Sequence, residues 1–89
     1  MKVIPTRKEK KSSAVLDYTF DFSNWLGTDT ISSYAITGTG ITVDSDSNNT
    51  TSVTVWLSSG TVGVLAKVDC TITTTAGRTD TGTVIFDII

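Results

Sequence analysis

The sequence predicts an all-β fold, and three observations carry that reading. Threonine occurs eighteen times in 89 residues, with ten serines beside it, and its branched β-carbon suits a pleated, half-exposed surface. Apolar and polar residues alternate over several stretches, the period of two shown by a strand with one buried face. Residues that fill helices are scarce: glutamate occurs once, at Glu9, and the single proline is Pro5.

Residues 1–13 read as a flexible basic N-terminal arm, with Pro5 blocking regular pairing. Residues 14–89 read as the folded domain. From Val15 the alternation starts, with Leu16, Tyr18, Phe20 and Phe22 facing one way and Asp17, Thr19 and Asp21 the other. One short helical turn follows over Ser23–Gly27, with Ser23 as N-cap, Gly27 as the stop, and Trp25 and Leu26 plugging an end of the core. A second strand runs from Thr30 to Thr37, and Gly38-Thr39-Gly40 forms a turn. Ile41–Val43 is a brief third strand, and Asp44–Asn49 a solvated loop. Val53, Val55 and Leu57 share one face of the next strand, opposite Thr54 and Trp56. Ser58-Ser59-Gly60 breaks it. The run Val62–Ile72 is too long for one flat strand, which predicts a break near Gly63. Thr75–Arg78 is a hairpin turn with Gly77 at positive φ. The closing strand, Thr79–Ile88, turns Val84, Phe86 and Ile88 inward. Six or seven short strands at this spacing predict a small antiparallel immunoglobulin-like sandwich, with a compact barrel as the competing architecture.

The composition also removes chemistry. Without histidine there is no imidazole base and no Ser-His or Cys-His pair. Cys70 is the only cysteine, so it closes no intrachain disulfide, and its inward position reads as a small buried hydrophobe. Asp17 and Asp21 stand four residues apart on one strand face, roughly 13 Å in an extended chain and too far for acid-base cooperation. The D-S-D-S-N-N run at Asp44–Asn49 starts like a calcium loop, yet lacks the glycine at its sixth position and has Val55 at its twelfth. No cofactor, metal site or catalytic residue is assigned. No apolar run is long enough to span a membrane, and the basic start lacks the pattern of a secretion signal. The expectation is therefore residence in the cytoplasm, at least initially.

Net charge is −2, but it is unevenly placed. Residues 1–11 carry +4, from Lys2, Arg7, Lys8, Lys10 and Lys11 against Glu9, while the remaining 78 carry −6. Five cations without interleaved aromatics fall short of a nucleic-acid footprint. The arm reads instead as a tail docking on an acidic neighbour, which makes self-association plausible on charge. Tyr34 and Trp56 fall on the outward parity of their strands. They are interface aromatics, or else a bulge or the arm buries them. Arg78 and Asp80 are read as a local charge pair shaping the hairpin turn.

Set in order, Leu16-Asp17-Tyr18, Asp21-x-Ser23-x-Trp25-Leu26-Gly27, Asp29-Thr30-Ile31, Val55-Trp56-Leu57-Ser58-Ser59-Gly60, Gly63 and Thr73–Asp80 form a pattern. It resembles small structural proteins of tailed bacteriophages and prophages, described as fibre-to-tail adaptors or as parts of head and tail assemblies. The resemblance runs from about residue 14 to nearly the end. This chain departs at Ser59, where the family has the first glycine of a pair, and at Tyr34, near a common tryptophan. The resemblance implies an immunoglobulin-like, non-enzymatic virion component made in the host bacterium, touching other phage structural proteins and further copies of itself. It implies fold-shaping roles for Trp25, Gly60, Gly77, Arg78 and Asp80. The candidate interface is Lys2, Arg7, Lys8, Lys10, Lys11, Tyr34 and Trp56. Alternative functions are a carbohydrate- or host-surface-binding module, with Tyr34 and Trp56 stacking on a ligand, and a head decoration protein.

Overall fold

Seven strands and one helical turn make up the computed structural model, which describes residues 6–89. The elements are β1 (Thr6–Lys10), β2 (Leu16–Asp21), α1 (Ser23–Leu26), β3 (Ile31–Thr39), β4 (Thr42–Asn48), β5 (Ser52–Ser58), β6 (Leu65–Thr74) and β7 (Thr79–Ile88). One sheet has the order β1-β7-β6-β3, the other β2-β5-β4. Pairing is antiparallel except between β1 and β7, which run parallel from Thr6↔Val84 to Lys10↔Ile88. Counting β2 to β7 as B to G, the sheets are B-E-D and C-F-G, the immunoglobulin constant-type arrangement, with β1 added beside the last strand.

The period-two pattern accounts for the core. Phe20 from β2, Val53, Val55 and Leu57 from β5, and Ala66, Val68, Cys70 and Ile72 from β6 all turn inward to meet Val84, Phe86 and Ile88 of β7. Each large side chain buried this way contributes about 1.5–3 kcal/mol relative to exposure. Tyr18 packs edge-on against Phe20 and Phe86, with centroids 4.9 and 6.2 Å away. The threonines bridge strands across the outer surfaces: Thr19 with Thr54 at 3.0 Å, and Thr71 with Thr81 at 2.9 Å. Cross-strand hydroxyl pairs of this kind add a few tenths of a kcal/mol each.

Four features differ from the sequence reading. First, the arm expected over residues 1–13 is a strand from Thr6 to Lys10, held by β7's free edge; Lys2 lies outside the described residues. Second, Asp44–Asn48 is not a loop. It belongs to β4, an exposed edge strand whose polar sequence has no buried face to display as alternation. Third, β3 continues through Gly38 and Thr39, so the turn is confined to Gly40 and Ile41. Fourth, Phe22 rather than Ser23 stands at the N-cap of α1, without a side-chain cap bond. Asp21 Oδ1 accepts the Ser23 N–H instead, at 2.9 Å.

The break near Gly63 lies where β6 begins two residues later. Gly60 has φ +111°, and a Cβ there would stand 2.8 Å from Ile88 Cδ1. Both conformation and space therefore demand glycine where the β5–β6 loop folds back over β7.

Candidate interaction surface

The molecule measures 40 × 22 × 16 Å, and its two ends differ in chemistry. One end carries α1, the β4–β5 turn and the β6–β7 hairpin, and is tied by polar groups. The Arg78 guanidinium stacks on the Trp25 ring, 4.4 Å from the centroid. It donates to Asp29 Oδ2 at 3.1 Å and to the Leu26 carbonyl at 2.9 Å, which also accepts the Asp29 N–H at 3.0 Å. Asp29 in turn accepts the N–H groups of Thr30 and Ala76, at 2.9 and 3.2 Å. The Thr74 hydroxyl and these two N–H groups, with Arg78, hold the Asp29 carboxyl down at about 2. A shallow groove lies between Leu26, Thr28, Asp29, Thr75, Ala76 and Arg78. Arg78 therefore pairs with Asp29, not with Asp80. Asp80 has the inward parity of Gly82 and Val84, and its Oδ1 accepts the Thr81 N–H. Gly77, at φ +89°, closes the hairpin.

The other end gathers the β1–β2 turn, the β3–β4 hairpin, the β5–β6 loop and Ile89. Lys10 ties it from beneath: 2% exposed, its ammonium donates to the Ser59 carbonyl at 2.6 Å and the Lys11 carbonyl at 2.9 Å. Above that tie the surface is apolar. Val15, Val62, Val64, Leu65 and Ile89 are 47–64% exposed, and Trp56 is 46% exposed on the outer face of β5. These six are the exposed large hydrophobics of the described residues. Trp56 lies between Asp17 of β2 and Ser45 of β4, and Val15 precedes Leu16, the partner of Leu57. Trp56 faces outward from one sheet and Leu65 from the other, with Val62 and Val64 in the loop that joins them; exposed apolar side chains gathered at one end of a domain mark an interaction site.

The expected interface residues are thus dispersed. Arg7 makes a bidentate pair with Asp87, both bonds 2.7 Å, which raises the arginine's pKa and lowers the aspartate's. Lys8 stands 5.9 Å above the Tyr18 ring, Lys10 is buried, and Lys11 is exposed in the turn. From residue 7 on, the basic segment is engaged mostly within its own domain, because β1 takes the register that places these side chains over β7 and β2. Tyr34 is half-buried, since the bulge between Ile31 and Ser33 shifts the parity of β3. Its hydroxyl donates to Asp46 Oδ1 at 2.6 Å, clasping the edges of the two sheets, and that bond raises the phenol pKa. Trp56 remains outward. The aliphatic end was not singled out from sequence. Its signal was the odd parity of Leu65 beside Val62 and Val64, in a loop with no sheet to cover them.

Cys70 is fully buried and burial pushes its thiol up to about 12, leaving no reactive thiolate near neutral pH. Among the described residues, no three acidic or cysteine side chains converge as a metal site.

The family described as Podophage GP4 fiber-tail adaptor protein gp77 matches residues 10–87, from the buried Lys10 almost to the end of β7. The chain belongs to this fibre-tail adaptor family. Among curated proteins, none matches it. For a phage structural adaptor, contact surfaces are the functional site. The adaptor described here offers one polar, internally bonded end and one aliphatic end bordered by Trp56.

Proposed function

We propose that this chain is a non-enzymatic virion component joining a tail protein to a fibre protein, and that its aliphatic end with Trp56 is one of the two contacts. The observation that carries this is the gathering of five exposed aliphatic side chains, Val15, Val62, Val64, Leu65 and Ile89, in the loops and strand ends at one end of the described domain, with Trp56 exposed on the outer face of β5. Family membership names the partner class. A standard interface buries roughly 800 Å² per partner, so a polar rim around the aliphatic end completes the contact. Trp56 supplies the aromatic anchor such contacts favour. In this reading the protein folds in the host cytoplasm and then resides in the particle, alongside further copies of itself. Protein contacts, rather than nucleic acid or membrane, hold it there. The absence of histidine and the buried, protonated Cys70 support a role without catalysis.

The test is complementation of a phage lacking the gene with Trp56→Ser or Val64→Asp/Leu65→Ser variants. Both should keep the far-UV spectrum and melting temperature of the parent yet yield particles depleted in fibres. Particles with normal fibre content from both variants would refute the assignment. A glycan-binding role loses one of its two aromatic platforms, because Tyr34 is turned toward Asp46.

A further inference from the structure

The two sheets have four edges, and they are not equally protected. Unpaired backbone groups on an edge invite another chain's strand, and charged side chains, short length or bulges discourage it. β1 has five residues, four of them charged: Arg7, Lys8, Glu9 and Lys10. β2 carries Asp17 and Asp21 on its exposed parity. β4 carries Asp44 and Asp46 and is bulged between Val43 and Ser45. β3 has nine residues, Ile31–Thr39, with no charge and no proline, and its register is unbroken from Ser33 onward.

The ladder tells which of its backbone groups are free. Thr74 N–H donates to the Arg78 carbonyl at 2.8 Å, closing the β6–β7 hairpin. By strict alternation, even-numbered residues of β6 then direct their backbone groups to β7 and odd-numbered ones to β3. Ser33, Ala35 and Thr37, opposite Thr73, Thr71 and Asp69, therefore bond inward to β6. Tyr34 and Ile36 turn their N–H and C=O groups to the open edge. At Gly38 the inner face of the strand lies against Ile41 and Val43 of the following turn and strand.

We infer that β3 is a self-association edge, pairing antiparallel with β3 of a second copy across a two-fold axis at Ala35. In that register Tyr34 and Ile36 of one copy exchange both backbone hydrogen bonds with Ile36 and Tyr34 of the other. Ala35 meets Ala35 in a narrow, non-hydrogen-bonded pair, where the approach is closest and the small side chains meet without a clash. Ser33 meets Thr37, a favourable hydroxyl pair. All three outward side chains are exposed in the single chain, and no like charges oppose one another. The same operation on β1 or β2 would bring like-charged side chains of the two copies close together, which argues for a second copy at this edge alone. The result is a continuous sheet, β1-β7-β6-β3-β3-β6-β7-β1, that covers the Tyr34–Asp46 clasp and leaves the aliphatic end free.

Sedimentation velocity on the full chain tests this without any partner protein. The parent should show a concentration-dependent monomer–dimer equilibrium. Ala35→Lys and Ala35→Glu should each weaken dimerisation by about tenfold or more, since each places like charges face to face. An equimolar mixture of the two should restore the dimer. Circular dichroism verifies that both variants keep the parent fold. A parent that is monomeric at all concentrations would overturn the inference, as would a dimer that survives both substitutions or a mixture that fails to recover. None of these results bears on the fibre contact, which lies at another surface.

Discussion

Ser59 holds a left-handed backbone conformation, φ +65°, the only non-glycine residue in that region among the described ones. A side chain there costs on the order of 1 kcal/mol through the clash of Cβ with the following carbonyl. The strain is tolerated because the Ser59 carbonyl is the acceptor nearest the Lys10 ammonium, at 2.6 Å. Glycine at this position is the relaxed solution. Ser59→Gly should therefore raise stability by about 0.5–1 kcal/mol, read as a higher urea midpoint with an unchanged slope; no change or a loss would show that the serine is held by something else. Lys10 is the counterpart of that strain: a buried ammonium satisfied by two carbonyls, with no carboxylate in ion-pair distance among the described residues. Replacing it by an apolar residue of similar length strands the Ser59 carbonyl and leaves the Lys11 carbonyl with the Ala14 N–H alone, at 3.0 Å. Lys10→Met should cost about 1–3 kcal/mol, checked by the same denaturation experiment. Retention of full stability would mean that water reaches those carbonyls.

At the scale of elements, the sequence was legible where a strand has one buried face and opaque where it does not. β2, β5 and β7 alternate because each sits between a core and solvent, and their inward residues could be named in advance. The α1 turn was recognisable from Trp25, Leu26 and Gly27. β1 could not be seen, because its register is dictated by β7, almost 80 residues away, and because a buried lysine looks like any other charged residue in a sequence. β4 is an edge strand exposed along most of its length, so Asp44-Ser45-Asp46-Ser47 carries no periodic signal. The candidate surface divides the same way. Trp56 was recognisable from parity on a regular strand, whereas Tyr34 required knowledge of a bulge. The aliphatic end was hidden because a loop has no period against which exposed residues stand out. The misassigned Arg78 partner has a similar cause: proximity in sequence favoured Asp80, but the chain reversal delivers Asp29 from 49 residues away.

For the molecule as a whole, acid should act through its carboxylates, Asp29 at the polar end among them. Asp29 titrates at about 2, below its ordinary 3.8, and Asp21 and Asp87 are also lowered, by the Ser23 N–H with its side chain and by Arg7 respectively. A carboxylate with a depressed pKa stabilises the folded state above its unfolded value and loses that contribution as pH falls through the folded one. Stability should hold down to about pH 4 and decline toward pH 2. Asp29→Asn should flatten that decline in a pH series of thermal melts; an identical decline in the variant would place the acid sensitivity elsewhere. Tyr34 acts at the opposite extreme: its raised pKa means that its contribution is present below pH 10 and lost as the phenol ionises above it.

The parallel pairing of β1 with β7 has a mechanical consequence. Five consecutive residue pairs, from Thr6↔Val84 to Lys10↔Ile88, join the first strand to the last with both chains running the same way. A pull that separates residue 6 from residue 88 is directed along both strands, so it loads those backbone bonds together in shear. Antiparallel terminal strands drawn from a shared end would instead open one bond at a time. The Arg7–Asp87 pair and the buried Lys10 lie within the same five-residue seam, so that seam must slip as a unit before the core is exposed to the load.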